Sequence, residues 1–517
     1  MPTIEQLNQR HPCLDPEEDA DLEAVYQGGK LFESRLKTFL PQRPREMPER
    51  YATRKREHHY RNYLGAIVDY FAAMLFTSKP SASAKSKGAT EALTTLPKYY
   101  AAFSEDCDRL GGDIDAFFKD RITTAMVHRR AWFALEQPSD GGAPAPDRAS
   151  FERRKLGDAW LRKINNEAIF DWELDDAGNL AWVLVHSIST RRASVGAKRT
   201  AITETWDQYL SDRVDTYAIT YEKDKPPAPD AEVPLRATRP HRFGRVPVFC
   251  LELPLGLWAA NRLKTPQLAH FRSSNAQSWS LAATCYAMPV AKVGDPDAAQ
   301  ASNIAHGAGY AIYLYKDESW EWEAPPADHF AALDVEIKSH KDEIFRIAHQ
   351  MALGVDNNSS AVGRTAESKS ADAQSTRVIL TAYGRVVKET IELVYDTISR
   401  ARGDDIVWSI GGLDDFAGVD TGGLLTMCGE LQTAGGIPSK SFNADLKYKL
   451  ATSMLPDADE ARKQLYKREI EDNTPDPAED AALEREATLA LLRSSGVQNG
   501  PGEGSAPGSK PAGQPQA

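Results

Sequence analysis

Two strongly helical segments, separated by a short polar break, dominate the sequence between residues 328 and 403. The first repeats its apolar positions at alternating spacings of four and three, close to the heptad seam of helices that pack against similar helices. Its stripe consists of Leu333, Ile337, His340, Ile344, Ile347 and Met351. The second segment, Thr365–Arg402, keeps a helical period for about ten turns and ends at Gly403. The break between them, Leu353–Gly363, is rich in Gly, Asn and Ser, so the pattern predicts two long helices joined by a flexible loop.

Size and charge limit the function classes that the chain can belong to. Its 517 residues leave room for roughly three domains. Hydrophobic residues make up 41% and charged residues 26%, which is typical of a globular protein rather than a fibrous or disordered one. Lys and Arg total 62 against 74 Asp and Glu, a formal net charge of -12. Because an excess of carboxylates opposes binding to phosphate, we do not expect a protein that holds nucleic acid tightly by global attraction.

The cysteines and the apolar segments also exclude several classes. The five cysteines are scattered and none stands in a C-x-x-C spacing, which argues against a disulfide framework and a structural zinc site and favours a reducing compartment. The start of the sequence is polar and acidic, so secretion is not expected. The most apolar helical stretch, Tyr60–Phe76, is too short and too polar to cross a bilayer, so no membrane partner is expected.

The first half of the chain mixes helix and strand patterns. Helical spacing predicts helices over Tyr60–Phe76 and Asp113–Val127, the second running into a strand at Ala131–Leu135. Alternating apolar residues then predict a meander of strands at Ile169–Trp172, Leu180–Val185, Ile202–Tyr209 and Tyr217–Tyr221, followed by a strand at Val248–Leu253. The turn Asp176–Asn179 fits the first hairpin. These patterns predict an α+β fold.

The second half begins with a helix-compatible stretch, Leu257–Ala283, that is unusually polar, with Pro266 fitting a first helical turn. The segment Met288–Pro326 reads as a small α/β insertion with strands at 289–293, 310–315 and 320–322. Beyond the two long helices, the remaining predicted elements are a strand at 406–410, helices at 424–434, 439–450, 457–471 and 477–493, and a disordered tail at 497–517.

Common catalytic and cofactor motifs are absent from the sequence. The only Gly-Lys pair, Gly29-Lys30, lacks the other residues of a phosphate-binding loop, and no G-x-S-x-G or H-E-x-x-H sequence occurs. His340 and His349 are nine residues apart, which is not the i, i+4 spacing of a shared metal site. We therefore expect no catalytic, cofactor-binding or metal-binding residues.

The succession of these segments resembles the portal proteins of tailed bacteriophages, in a branch often described only as a domain of unknown function. The resemblance is one of order and local texture over most of Tyr60–Leu450. The residues that carry it are Asp113–Ile122, Ala131–Pro138, Ile164–Trp172, Trp206–Tyr209, Gly244–Val248, His270–Asn275 and Met288–Gly294.

The resemblance implies an α+β portal-type protomer with a wing, a two-helix stem, a small α/β clip, a long tunnel-loop helix and a helical crown, assembled into a ring. Carried over by position, the parts are 1–255 (wing), 256–286 (first stem helix), 287–327 (clip), 328–352 (second stem helix), 353–363 (tunnel loop), 364–403 (long helix behind the loop), 404–455 (C-terminal part of the wing), 456–496 (crown helices) and 497–517 (tail).

The function implied by this resemblance is a ring at one capsid vertex, a passive conduit for double-stranded DNA during packaging and ejection. The implied partners are further copies of the chain in a homo-oligomeric ring, expected to be a dodecamer, together with the DNA, the terminase large subunit, a head–tail connector, and the major capsid and scaffold proteins. The implied location is the virion, with assembly in the host cytoplasm. The channel residues would be Asp356, Asn357, Asn358, Ser359, Ser360 and Arg364, and the seam between stem helices would be Ile337, His340, Ile344, Ile347 and Met351.

Two other function classes remain open at this point. One is a monomeric adaptor, in which Thr365–Arg402 is simply the central helix. The other is an enzyme whose active site uses the wing carboxylates beside Trp172, namely Asp171, Glu173, Asp175 and Asp176. Turn-forming hydrogen bonds are the more ordinary role for the last two. Ring formation separates the portal class from both alternatives.

Overall fold

The chain divides into two structural units, residues 1–416 and 417–517, each of which is described by itself. The boundary lies inside the range 404–455 that the resemblance assigns to the wing. The structure, a computed structural model, describes residues 1–77, 79–88, 93, 95–138, 147–192, 199–284, 288–292, 319–323, 327–353, 366–413, 439–455 and 460–474.

The first unit combines helices and strands, so the α+β prediction is confirmed. Its described helices are α1 (Ile4–Leu7), α2 (Pro16–Gln27), α3 (Gly29–Ser34), α4 (Leu36–Phe39), α5 (Pro48–Arg56), α6 (Tyr63–Leu75), α7 (Lys98–Glu105), α8 (Ile114–His128), α9 (Arg148–Arg153), α10 (Ala259–Thr284), α11 (Ala327–Leu353) and α12 (Ala366–Arg402). Its described strands are β1 (Ser81–Ser86), β2 (Arg130–Glu136), β3 (Trp160–Ile164), β4 (Ile169–Leu174), β5 (Leu180–Arg192), β6 (Arg199–Tyr209), β7 (Arg213–Glu222), β8 (Leu235–Pro240), β9 (Val248–Glu252), β10 (Met288–Lys292), β11 (Ser319–Glu323) and β12 (Ile406–Gly411).

Local capping explains several helix boundaries. The side chain of Asp113 accepts a hydrogen bond from the backbone N–H of Ala116 and starts α8, and Asn62 does the same for α6 through Gly65. At the C-terminal end of α12, the longest of the described helices, Gly403 has φ +68°, a conformation that costs glycine little, and the helix ends there. The helices predicted over 60–76, 113–127 and 365–402 are therefore confirmed within a few residues.

The five-stranded sheet is an antiparallel meander in the order β4-β5-β6-β7-β8. Its first hairpin turns at residues 175–179, where Asp175 Oδ1 accepts from the N–H groups of Ala177 and Asn179 and Gly178 has φ +81°. β5 and β6 pair from Val183–Tyr209 to Arg192–Arg199, which makes these strands longer than the alternation alone predicted. The meander predicted from the sequence is confirmed.

A three-stranded antiparallel sheet in the order β3-β2-β9 lies between the meander and the helices. One set of its residues, including Trp132 and Val248, shares a core with the meander residues Val183 and Tyr209. Phe133 and Phe249 instead join the main core, which also contains residues of α2, α6, α8, α10, α11 and α12. The small sheet therefore links the meander to the helical body.

β1 and β12 form a separate antiparallel pair although Ser81 and Ile406 are 325 positions apart along the chain. Trp408 of β12 is 6% exposed and donates from Nε1 to Ser399 Oγ of α12 at 2.7 Å. The strand predicted at 406–410 is confirmed, and it returns the chain to the N-terminal part of the first unit.

Pro266 lies inside α10, eight residues into the helix, rather than in its first turn. The expectation of a first-turn proline was wrong because α10 begins at Ala259 and not near residue 264. Ala259, Ala260 and Leu263 are fully buried in the main core, and their packing stabilises a helical turn before the proline.

The described part of the second unit contains two helices, α13 (Lys440–Met454) and α14 (Glu460–Asn473), which pack against each other. Ser439 caps α13 by accepting from the N–H of Phe442. The helices predicted over 439–450 and 457–471 are confirmed. The predictions of a strand at 310–315, of helices at 424–434 and 477–493 and of a disordered tail at 497–517 lie outside the described residues.

Within the described residues, no helix combines the length and the apolar character that a membrane crossing needs. The three cysteines among them, Cys13, Cys107 and Cys250, are free thiols.

Candidate assembly and channel elements

α10 and α11 pack against each other as an antiparallel pair, which we call the stem pair. Ser273 Oγ of α10 lies 3.2 Å from Glu336 Oε1 of α11. His270, about one turn earlier on α10, interacts electrostatically with His340 and Lys341 of α11. The residue numbers of α10 therefore decrease as those of the contacting residues on α11 increase, so the two helices run in opposite directions. At 1.5 Å per residue each helix is about 40 Å long.

The polar residues of α10 bind the start of α6. Gln267 is fully buried; its Oε1 accepts from the N–H groups of Tyr63 and Leu64 at 3.2 Å, and its Nε2 donates to the Arg61 carbonyl at 2.7 Å. Asn275 is 4% exposed and exchanges hydrogen bonds with both backbone groups of His59. These side chains satisfy backbone groups that a helix start leaves without intrahelical partners. The polar character of α10 is therefore used inside the protomer.

His270 is buried differently. It is 1% exposed, and neither ring nitrogen has a hydrogen-bond partner in the described part of the protein. Tyr63 contacts the ring edge-on, with centroids 5.1 Å apart. Burial and then the positive charges of Arg61, His340 and Lys341 lower the pKa of His270 below its ordinary value of 6.5. Protonation of the imidazole is therefore disfavoured in the folded protein.

The seam residues predicted on α11 face the interior of the same chain. Ile344 is fully buried in the main core and Ile337 is 8% exposed. Ile347 is half-buried and packs against that core. His340 is also half-buried, with its Nε2 3.5 Å from Glu336 Oε1. The side chain of Met351 lies outside the description. The apolar stripe is occupied by α6 and α10 of the protomer, so its contact with like helices of other subunits stays a prediction.

The channel residues predicted between α11 and α12, namely Asp356, Asn357, Asn358, Ser359, Ser360 and Arg364, lie outside the described residues. What the structure does describe are the two helices that flank them. α11 ends at Leu353 and α12 begins at Ala366, so the connection is 12 residues long.

The hairpin β10–β11 occupies the position predicted for the clip, between the two helices of the stem pair. Its register pairs Met288 with Glu323 and Lys292 with Ser319, and it places Trp320 opposite Ala291 and Trp322 opposite Pro289. The strands predicted at 289–293 and 320–322 are confirmed.

A cleft of about 560 Å³ opens between the small sheet, the first hairpin of the meander and α12. Its floor includes the buried side chains Trp132, Val248 and Phe249. Two leucines line the opening while remaining exposed to solvent, Leu174 of β4 (54%) and Leu393 of α12 (38%). The cleft is thus mainly apolar, and sequence reasoning missed it because its walls come from segments more than 200 residues apart.

Some of the arginines around the cleft have a carboxylate partner, and one of them has none within the described ranges. Arg130 and Arg129 both contact Glu252, at 3.1 and 2.9 Å. Arg245, also a lining residue, pairs with no carboxylate among the residues that the structure describes, and its guanidinium lies 5.3 Å from the ring centroid of Phe249. Burial and then the nearby Arg400 lower the pKa of Arg245. The cleft lining, as far as the structure describes it, therefore contains one guanidinium, that of Arg245, without a carboxylate partner, although its two arginines, Arg130 and Arg245, are matched in number by Glu173 and Glu252.

Three of the four wing carboxylates considered for catalysis accept structural hydrogen bonds. Asp175 organises the hairpin turn, Glu173 accepts from Trp182 Nε1 at 2.9 Å, and Asp171 accepts from the Trp172 N–H at 2.9 Å. Glu173 alone of the four lines the cleft. Within the part of the chain that the structure describes, no group of three or more His, Cys, Asp or Glu side chains could hold a metal ion.

Residues 263–399, from α10 through α12, match the model of a family described as "Domain of unknown function (DUF4055)". This agrees with the description expected for the resembling branch. No curated protein matches the chain.

Among solved structures, the chain is similar to chains in three structures of gene transfer agent (GTA) particles. For a chain of the virion of the native particle the identity is 10% and the TM-score 0.36, over 80% of this chain and 98% of that chain. For a chain of the neck of the empty particle, computed with C6 symmetry, the identity is 11% and the TM-score 0.33, over 81% of this chain and 94% of that chain. For a chain of the neck of the native particle, computed with C12 symmetry, the identity is 11% and the TM-score 0.34, over 77% of this chain and 94% of that chain. Because these identities and TM-scores are too low to support a function, the function is proposed from the order of elements in this chain itself.

Proposed function

We propose that this chain is a phage portal protein that forms a ring at one capsid vertex. The observation that carries the proposal is the succession of elements in the first unit. A mixed α/β region is followed by the stem pair with a hairpin inserted between its helices, then by a 12-residue connection and the 37-residue helix α12, and then by a strand that returns to β1. This is the order of wing, stem, clip, tunnel loop and long helix that the sequence resemblance implies.

The shape of the stem pair supports a ring. Two antiparallel helices, each about 40 Å long, form an elongated rod whose outer face remains available after the inner face has packed on α6. Val335 of α11 is 67% exposed on such an outer position. Closed cyclic symmetry lets one face of each copy meet a different face of the next.

The charge of the chain supports a conduit rather than a DNA-binding protein. With a net charge of -12, a ring of these subunits repels phosphate on average, and a duplex would slide through it without being held. The proposed partners are double-stranded DNA in transit, the terminase large subunit, a head–tail connector, and the capsid and scaffold proteins. We assign the chain no catalytic step.

Electron microscopy and native mass of the purified full-length chain test the ring. We expect closed rings of about a dozen subunits with an axial hole wide enough for a double helix. A uniformly monomeric sample at micromolar concentration, across several salt concentrations, would favour the adaptor or enzyme alternatives instead.

A second experiment tests the channel role of the connection between α11 and α12. Replacing 356–360 by a shorter Gly/Ser linker should leave the rings intact, because a loop rich in Gly, Asn and Ser contributes little buried apolar area. The same change should lower the amount of DNA packaged or retained in heads. A variant that loses neither DNA nor rings would place this loop on the outer surface, and one that yields no soluble rings would make it a folding element.

A further inference from the structure

One loop of the first unit displays the most exposed large apolar side chain among the described residues. Leu110 is 89% exposed, between α7 and α8. An isolated exposed leucine would not be unusual, but here the backbone that carries it is held by a dense set of hydrogen bonds.

The acidic side chains of the loop hold it in one conformation. Asp108 Oδ1 accepts from the N–H groups of Leu110 and Gly112, at 2.8 and 3.0 Å, and Asp106 Oδ1 accepts from Gly111 at 3.1 Å. Arg109 has φ +61°, and its guanidinium covers the ring of Trp160 at 3.8 Å. Leu110 is therefore presented by a tight turn whose neighbours are all engaged elsewhere.

The loop is also acidic. Residues 105–113 carry four carboxylates, those of Glu105, Asp106, Asp108 and Asp113, and one guanidinium, which is the one on Trp160. Leu110 is therefore an apolar knob in an acidic loop. It complements the cleft, which offers the exposed side chains of Leu174 and Leu393 and the guanidinium of Arg245, which has no carboxylate partner in the described part of the chain.

The knob and the cleft lie on opposite edges of the same small sheet. The carbonyl of Cys107 accepts from Leu161 N at 2.7 Å, which places the loop on the outer edge of β3. The cleft is lined by Val248, Cys250 and Glu252 of β9, the other edge strand. Because β2 separates the two edges, the knob cannot reach the cleft of its own chain.

From this arrangement we infer that Leu110 of one copy inserts into the cleft of the next copy, with the acidic loop facing Arg245. A contact between two different surfaces on opposite edges is heterologous and closes into a ring when the rotation permits. The inference deepens the proposed function and rests on it, since it names an interface that a portal ring would use.

Cross-linking tests the placement, because the cleft already contains an exposed thiol. Cys13 lines the cleft, and a Leu110→Cys variant would bring a second thiol beside it across the interface. A short bismaleimide should join adjacent subunits into covalent dimers and larger ladders on a denaturing gel. The double variant Leu110→Cys/Cys13→Ser should lose these products.

Assembly measurements test the energetics. Leu110→Asp should weaken subunit association by at least tenfold, roughly the effect of losing one buried leucine at an interface. Arg245→Glu should weaken it as well. Leu235→Asp, at a leucine of β8 that is 49% exposed, is the matched control and should assemble like the wild type. Thermal unfolding of Leu110→Asp should be unchanged, since the side chain packs on nothing in its own chain.

The results of these experiments distinguish a failure of the contact between Leu110 and the cleft from a failure of the proposed ring. If wild-type chains form rings but Leu110→Cys gives no cross-link that depends on Cys13, the contact is overturned while the portal proposal stands. If wild-type chains remain monomeric, both fall. Rings together with Cys13-dependent ladders, and weaker assembly of Leu110→Asp, support the contact.

Discussion

The two helices of the stem pair differ in the polar side chains that they bury. α10 buries Gln267, His270 and Asn275 beside apolar residues such as Phe271, whereas the buried residues described on α11, among them Ile337 and Ile344, are apolar. The apolar pattern of α11 predicted contacts with similar helices when only the sequence was considered. In the structure both sets of side chains are used within the protomer, where α10 binds the start of α6 and α11 fills the main core. A polar helix surface therefore does not by itself indicate a solvent or channel face.

The largest expected effect follows from the apolar side of this comparison. Ile344→Asp places a carboxylate in the main core without a partner, so it should lower the free energy of unfolding of the protomer by more than about 4 kcal/mol. The measurement is thermal or denaturant unfolding of the purified variant. Val335→Asp, at a site on the same helix that is 67% exposed, is the control and should unfold like the wild type. A folded Ile344→Asp chain that only fails to assemble would return Ile344 to a seam between subunits.

The polar side of the comparison is tested by Gln267→Leu. The substitution keeps similar bulk but leaves the N–H of Leu64 without its partner. It also removes one hydrogen bond each from the Tyr63 N–H and the Arg61 carbonyl, which remain bonded to each other at 3.1 Å. We expect a loss of about 2–4 kcal/mol in the free energy of unfolding. Gln277→Leu, on a half-buried position of the same helix, should cost much less. Equal effects of the two substitutions would contradict the role of Gln267 at the start of α6.

A third prediction concerns a buried histidine that, unlike His270, has acidic partners. His128 of α8 lies 2.6 Å from Glu23 and 3.3 Å from Asp19, both on α2. Burial alone lowers the pKa of His128, but these carboxylates outweigh it and raise the pKa to about 9. Because the folded pKa exceeds the ordinary 6.5, the stabilisation is complete below pH 6.5 and is lost as the pH rises through about 9. By 1.36 kcal/mol per pKa unit it amounts to about 3 kcal/mol or less.

Unfolding temperatures measured from pH 6 to 10 check this expectation. The wild type should lose stability across that range more steeply than His128→Gln. His59→Gln, at an exposed histidine, is the control and should follow the wild type. Parallel pH profiles for the wild type and His128→Gln would show that the α2–α8 contact does not depend on the imidazolium.

The smallest effect is expected at His270, with the opposite pH dependence. Its folded pKa lies below 6.5, so stability is complete above that pH and is lost as the pH falls through the folded value. The charged groups that face it are Arg61 before α6 and His340 and Lys341 on α11, and none of them is an acid.

His270→Met should therefore be neutral, or more stable by about 1 kcal/mol, at pH 7.5, because the ring nitrogens make no hydrogen bonds that would be lost. The variant should also lose less stability than the wild type between pH 7 and pH 5. A variant that is clearly destabilised at pH 7.5 would indicate a partner for the imidazole.

Local patterns predicted individual elements well. Helical periodicity located α6, α8 and α12, and alternation located the strands of the meander, because these signals depend on residues close together in the chain. The start of α10 was predicted less well. Burial of Ala259, Ala260 and Leu263 in the main core extends the helix before Pro266, and that burial depends on distant segments.

By itself, the sequence determined the class of fold, the succession of long helices and hairpin, and the excess of negative charge, since each is written in composition or short-range spacing. Only the tertiary structure decided which faces those elements use. The pairing of β1 with β12, the cleft beside Arg245 and the position of Leu110 on the opposite edge of the small sheet join segments that are far apart in the chain. Such contacts depend on the geometry of the whole protomer, and one-dimensional periodicity carries no information about it.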